Sequence, residues 1–111
     1  MSALGEFEQL VLFAVLRLEQ DASGVAIHDE ILSRTAREVS PGAIYTTLGR
    51  LEERGLVRAV VIEAATARVG RPRKHYELRP AGAKALRDSY ANLQALAVGI
   101  LPKLNALAKQ S

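Results

Sequence analysis

The sequence predicts a mainly α domain that carries a small two-stranded β element. Three observations predict it. Apolar residues recur at helical spacing over residues 4–19, 24–37 and 40–54. A Val- and Ile-rich run from Val57 to Ala64 and a shorter one from His75 to Arg79 read as strands. Between the strands lies a turn punctuated by Gly70 and Pro72.

A chain of 111 residues is one domain of ordinary size. Its apolar content of 49% argues against disorder. Aromatics are few, so a core of Leu, Val, Ile and Ala is expected. There is no Cys, which excludes disulfides, thiolate metal sites and a Cys nucleophile. Residues 1–6 lack the basic-then-apolar layout of a signal peptide. No apolar run is long enough for a bilayer. The expectation is a soluble, cytoplasmic protein with no membrane partner.

The first helix, expected over 4–19, places Phe7, Leu10, Val11, Ala14, Val15 and Leu18 on one side. Leu12, Phe13 and Leu16 make it apolar nearly all round, so it is buried on more than one side. A second subunit is the expected cover for that second side. The alternative is a later helix of the same chain. Asp21-Ala22-Ser23-Gly24 is a turn in which Ser23 caps the next helix. That helix runs to about Arg37, with Val25, Ile27, Ile31 and Leu32 pointing inward.

The third helix opens at Ser40-Pro41, an N-cap followed by proline where a missing N–H costs nothing. It closes at Gly55, the expected left-handed residue. At about 100° per residue, Ile44, Leu48 and Leu51 form its core stripe. Gly42, Thr46, Gly49, Arg50 and Glu53 take the opposite side, with Ala43 and Tyr45 on the flanks. Glycine on an exposed helix face costs about 1 kcal/mol relative to alanine. That suits a backbone that another surface approaches closely. The helix start offers free N–H groups and a positive dipole end to a phosphate. Ser40, Tyr45, Thr46 and Thr47 supply hydroxyls, and Arg50 can reach a guanine edge or a phosphate.

The turn places Arg68, Arg71, Arg73 and Lys74 within seven residues that hold no acid. A β-tip of that kind can follow a nucleic-acid backbone or enter a minor groove. Charge is uneven along the chain. Residues 1–39 hold three basic against seven acidic residues, 40–79 eight against four, and 80–111 four against one. The cationic middle therefore points to a polyanionic partner. A helix with a small-residue face beside a basic hairpin is the layout of a winged helix-turn-helix that sits on DNA. Helix 40–54 and the wing 65–75 are the expected reading elements.

Pro80 opens a last helix expected to reach about residue 109. Ala83, Leu86, Tyr90, Leu93, Ala97, Ile100, Leu104 and Leu107 alternate spacings of three and four, as in a heptad seam. Its length of ~42 Å exceeds what one small domain covers, so a homodimer is expected. Leu12, Leu16, Leu86, Tyr90, Leu93, Ala97, Ile100 and Leu104 are its expected contacts. Gly99 and Pro102 interrupt the seam, and proline inside a helix bends or breaks it. The expected division is a DNA-binding part, 1–79, and a dimerisation helix, 80–111.

No chemistry-bearing motif appears. His28 and His75 lie in different elements, no GxSxG, Walker-type or GxGxxG run occurs, and neither enzyme activity, metal nor cofactor is expected.

The chain resembles PadR-like transcriptional regulators over nearly its full length. The resemblance is carried by Gly24-Val25-Ala26-Ile27, by Ser40-Pro41-Gly42-Ala43-Ile44-Tyr45 with Leu48, Leu51, Glu52 and Gly55-Leu56-Val57, and by Gly70-Arg71-Pro72-Arg73-Lys74-His75-Tyr76 followed by Pro80-Ala81-Gly82. The length fits the shorter members. The resemblance implies a homodimeric winged-helix repressor that reads a palindromic operator, with the first and last helices forming the dimer. It implies a phosphate-contacting role for Tyr45. It also leaves room for a small-molecule effector of unknown identity. Some short members bind flat aromatic drugs through aromatic residues at the dimer centre. This chain departs from them, with no Trp and only Tyr90 on its last helix. From a different class, the alternative is a winged-helix interaction module whose basic wing binds an acidic protein.

Overall fold

Caps fix the boundaries of the helices. The computed structural model describes residues 4–62 and 73–110. Helix α1 spans Glu6–Leu18. The Glu8 side chain reaches back to the Gly5 N–H at 2.9 Å, which holds its first turn. A short 3₁₀ turn, Glu19–Asp21, follows. Helix α2 is Gly24–Arg34, and Ser23 Oγ accepts the Ala26 N–H at 3.1 Å. It stops three residues short of the expected Arg37, because Thr35 turns to an extended conformation. There the Thr35 side chain donates to the Ile31 carbonyl at 2.8 Å.

Helix α3 is Pro41–Glu53, with Ser40 Oγ accepting the Ala43 N–H at 3.1 Å. Gly55 has φ 74°. The Leu56 N–H bonds the Leu51 carbonyl and the Gly55 N–H the Glu52 carbonyl, each at 2.9 Å. This pair of bonds closes the helix in a Schellman motif. The strands are β1, Val57–Ile62, and β2, Arg73–Leu78, paired antiparallel with Val57 opposite Leu78 and Ile62 opposite Arg73. The second strand thus starts two residues earlier than expected. The turn itself, with Arg68 and Arg71, lies outside the described residues.

The core is assembled from all these elements. Val11, Leu12, Ala14 and Val15 of α1 meet Ile27 and Ile31 of α2 and Ile44, Leu48 and Leu51 of α3. Leu56, Val57, Tyr76 and Leu86 complete it. Two expected inward residues of α2 are not in it. Val25 is 63% and Leu32 47% exposed, because the buried line of this helix runs narrowly through Ile27 and Ile31.

Helix α4, Pro80–Ala97, packs on α1. Its approach is set by Gly82, where a Cβ would stand 2.1 Å from the Leu56 carbonyl oxygen. The expected single long helix is instead two. Gly99 takes φ 75°, which ends α4, and α5 restarts over Leu101–Ala108. Pro102 sits in the first turn of α5, where it needs no hydrogen bond. The seam therefore breaks at the glycine, and the proline begins the next element. The pair projects from the core, and the longest dimension is 56 Å. The radius of gyration is 16.5 Å, against about 13 Å for a compact domain of this size.

Candidate nucleic-acid interface

The exposed side of α3 forms the centre of the site. Gly42, Thr46, Arg50 and Glu53 are exposed and Gly49 is half-buried, while Ile44, Leu48 and Leu51 are fully buried. Above Gly42 and Gly49 is open space, and beyond the adjoining residues and the helix's own backbone no atom of the described residues lies within 4 Å of where a Cβ would stand. Nothing among those residues requires glycine at either site. Ser40 spends its oxygen on the cap and keeps its hydroxyl proton to donate. Ala43 is half-buried at the flank. Thr47 is a correction, since it is only 7% exposed and lies on the core side of α3. One more step around the helix from Thr46 carries it inward.

Tyr45 is 49% exposed and leans onto α2. Its ring occupies the space a side chain at Gly24 would need, 2.4 Å from the missing Cβ. The base of the hairpin joins here too. The Tyr76 N–H donates to the Ala22 carbonyl at 2.9 Å, and Ser23 bridges His75. One cleft results, lined by Ser23, Gly24, Val25, Ala26, Asp29, Tyr45, Lys74 and Tyr76. Tyr76 is 5% exposed. Burial raises its phenol above the usual range, and the charges of Glu52 and Tyr45 add to that shift. Sequence reasoning missed Tyr76. The available signal was period two, because Lys74 and Tyr76 share one face of the strand. His75 is a half-buried strand residue opposite Val60.

His28 braces the turn between α2 and α3. Its Nε2 lies 2.8 Å from the Val39 carbonyl and its Nδ1 3.1 Å from Asp29 Oδ1. Both partners accept, so they favour the doubly protonated ring. The Asp29 hydrogen bond, then the Val39 carbonyl, hold the His28 pKa above its ordinary 6.5. The acidic start of α1 adds further ties. Glu6 pairs with Arg37, whose guanidinium lies 5.1 Å from the Phe7 ring centre, and Glu8 pairs with Arg54 at 3.2 Å.

The wing is described only at its base. Lys74 is exposed, and Arg73 opens β2 opposite Ile62. Arg58 and Glu77 pair across the strands at 2.6 Å. Among the described residues no group of His, Cys, Asp and Glu could hold a metal ion. None of the described helices is long and apolar enough to cross a membrane.

At the other end of the molecule, α4 and α5 carry an apolar surface. Tyr90 is 46%, Leu93 58%, Ile100 36% and Leu104 54% exposed, and Ala97 is exposed. Leu16 of α1 is 53% exposed and lines a shallow cleft with Glu19, Gln20, Tyr76 and Leu78. Leu12 and Leu86 are corrections. They are 0% and 3% exposed and belong to this chain's own core. Here a later helix of the same chain covers the second side of α1. Tyr90 packs edge-on against Phe13, with ring centres 5.6 Å apart.

The fold matches that of known regulators. A relative from Mycobacterium tuberculosis, transcriptional regulator Rv3488, is 40% identical over 70 residues. That stretch is 63% of this chain and 62% of the relative, so the chain spans less than two thirds of that protein. A PadR family transcription regulator from Clostridium difficile superposes with a TM-score of 0.74 at 21% identity, covering 90% of this chain and 99% of the other. A PadR family transcriptional regulator from Eggerthella lenta gives 0.67 at 24% identity, covering 89% and 86%. The profile of the transcriptional regulator PadR-like family matches residues 12–88, spanning the helix-turn-helix, both strands and the start of α4. With more than half of its length under that match, the chain belongs to the PadR-like family of transcriptional regulators, and its chemistry is recognition rather than catalysis.

Proposed function

We propose that the chain is a homodimeric repressor that binds a palindromic DNA operator. Two copies of α3 enter successive major grooves, about one helical turn apart. The wings, residues 65–75, lie on flanking DNA. One observation carries the reading: α3 presents Gly42, Thr46, Gly49 and Arg50 to open space. A helix meant only to be stable would carry alanine at Gly49. Removing the side chain lets the backbone come close to a groove wall. Arg50, in the middle of that face, is the side chain that distinguishes bases. Ser40, Ala43, Tyr45 and Thr46 position the helix start on a phosphate, where its dipole is positive. Arg68, Arg71, Arg73 and Lys74 supply the charge that follows the backbone.

The dimer rests on the apolar surface of α4 and α5. Leu16, Tyr90, Leu93, Ala97, Ile100 and Leu104 are the proposed contacts. An apolar surface of this extent on a projecting element marks an interaction site, and a twofold pairing of identical faces is the commonest closure. The protein acts in the cytoplasm, where operator DNA lies.

The test is fluorescence anisotropy of the whole protein over a salt series. One probe is DNA from upstream of its own gene, and the other is random duplex of equal length. Saturable binding to the first, two chains per site, is the expected result. Arg50→Ala changes which sequences are preferred. Loss of the wing cations weakens binding to all sequences and flattens the salt slope. Equal effects of the two changes on both DNAs overturn this division of roles. Absence of binding at low salt overturns the reading itself.

A further inference from the structure

We infer that the first turn of α1 sets the aim of α3. Glu8 acting through Arg54, and Glu6 with Phe7 acting through Arg37, are positioning residues for DNA binding. The inference rests on the DNA-binding reading and goes beyond it, because it gives a role to acids, which by themselves repel a polyanion. The stripe of Ile44, Leu48 and Leu51 holds α3 against the core. Apolar contacts of that kind are non-directional. They set the depth of the helix and leave its tilt and rotation to groups at its two ends.

The start of α1 holds both ends. At the exit of α3, Glu8 divides its carboxylate between two tasks. Its Oε1 accepts the Gly5 N–H at 2.9 Å and caps α1, while its Oε2 accepts from Arg54 Nη1 at 3.2 Å. The Glu8 and Arg54 side chains are 24% and 30% exposed, so water screens this pair less than a fully open one. Arg54 is the C-cap of α3, and its N–H donates to the Arg50 carbonyl at 3.1 Å. The anchored residue is thus one turn beyond the proposed base-reading arginine and bonded to its backbone. At the entry, Arg37 lies in the turn between α2 and α3. Its guanidinium pairs with Glu6 and lies 5.1 Å from the Phe7 ring centre. Its N–H donates to Thr35 Oγ1 at 3.1 Å.

Stability does not account for this arrangement, since exposed ion pairs contribute little to it. An acid in a first turn and a cation in a last turn each suit their own helix dipole. That explains the residue types and leaves the pairing across two helices unexplained. Geometry supplies the reason. Hydrogen bonds to base edges demand distances and angles within a narrow range, and phosphate contacts carry no sequence information. A helix free to tilt would therefore lose base readout first and keep its attraction to any DNA.

The experiment uses the full chain with Glu8→Gln and Arg54→Gln, singly and together, and with Glu6→Gln. Glu8→Gln keeps an oxygen for the Gly5 N–H and removes only the charge that holds Arg54. Each variant is titrated against the upstream DNA and against random duplex over a KCl series. Glu8→Gln should bind the upstream DNA about fivefold more weakly. It should bind random duplex as tightly as wild type or more tightly, because an acid is lost. Its salt slope should not change, since no phosphate contact is removed. The double variant should lose no more than the larger single loss, a comparison that separates this pair from the further interactions of Arg54. Glu6→Gln should repeat the pattern more weakly, as its side chain is 78% exposed. Unchanged upstream affinity in Glu8→Gln, equal loss on both DNAs, or full additivity overturns the inference and leaves the DNA reading intact. A salt slope lowered by Arg54→Gln makes Arg54 a phosphate contact and also overturns it. So does a smaller active fraction of Glu8→Gln with undiminished affinity, which shows a role in folding alone. A wild type that binds neither DNA, or both alike, overturns the operator reading and this inference with it.

Discussion

The ring of Tyr45 lies against the Cα of Gly24, in the space that any larger residue would fill, its Cε1 2.4 Å from where a Cβ would stand. This contact joins the two helices of the helix-turn-helix at their outer surface. It turns Tyr45 sideways, and half of the residue stays exposed.

Gly24→Ala therefore moves Tyr45 rather than the backbone. The clashing atoms belong to the far end of a half-exposed side chain, which can swing into solvent. The expected loss of stability is under about 1 kcal/mol. DNA affinity should fall more than that, because the phenol leaves its position. Urea unfolding and DNA titration of the same variant check it. An unaltered DNA affinity would show that Tyr45 is not positioned by Gly24.

Gly49→Ala should separate stability from function. A methyl there meets none of the described residues, and alanine favours a helix by about 1 kcal/mol. The variant is expected to unfold at higher urea than wild type and to bind operator DNA more weakly. Stabilisation with full DNA binding would mean that no surface approaches α3 at this point.

Gly82→Ala has the opposite character. The added methyl would stand 2.1 Å from the Leu56 carbonyl oxygen and 2.9 Å from Leu78. A main-chain oxygen cannot swing aside, and it already accepts the Arg79 N–H at 3.0 Å. Forced overpacking costs about 1–3 kcal/mol. The melting temperature should drop by roughly 4–8 °C per kcal/mol, as calorimetry will record.

The sign of the pH response follows from His28. Its folded pKa is raised above 6.5 by Asp29 and the Val39 carbonyl, so the protonated ring is the bound form. The stability it contributes is complete below about pH 6.5 and is lost as pH rises through the raised folded value. Wild type should melt lower at pH 8.5 than at pH 6. His28→Gln keeps a donor for Val39 and has no titrating charge, so its melting temperature should lack that component. An NMR titration placing the His28 pKa at or below 6.5 would contradict this account.

The projecting helices give a test of assembly. Leu93→Asp and Leu104→Asp place charge on the exposed apolar surface and touch none of the buried core. Sedimentation should show a dimer for wild type and a folded monomer for each variant. Operator affinity should fall in parallel, since one protomer engages only half of a twofold site.

Most element boundaries were legible in the chain because local chemistry decides them. Ser23 and Ser40-Pro41 can satisfy the first N–H groups of α2 and α3 whatever surrounds them. Gly55 can take the left-handed turn that ends α3 without help from a neighbour. The two sides of α3 were legible for the same reason, since helical periodicity alone separates Ile44, Leu48 and Leu51 from Gly42, Thr46 and Arg50. Thr47 was misplaced because it was grouped with the hydroxyls of the helix start, whereas periodicity sets it beside Leu51. Val25 and Leu32 were misplaced because apolar character does not say which of several faces finds a neighbour. Leu12 and Leu86 looked like partner contacts until α4 folded back on α1 and enclosed them. The break in the last helix turned on whether Gly99 or Pro102 would act, and Gly99 adopts φ 75° while Pro102 is absorbed in a first turn. Tyr76 was hidden for a similar reason. Its place beside Tyr45 exists only because β2 hydrogen-bonds to Ala22 before α2. Caps, turns and periodicity are properties of a few adjacent residues, so the sequence carries them directly. Which faces meet depends on contacts between segments far apart in the chain, and those appear only when it packs.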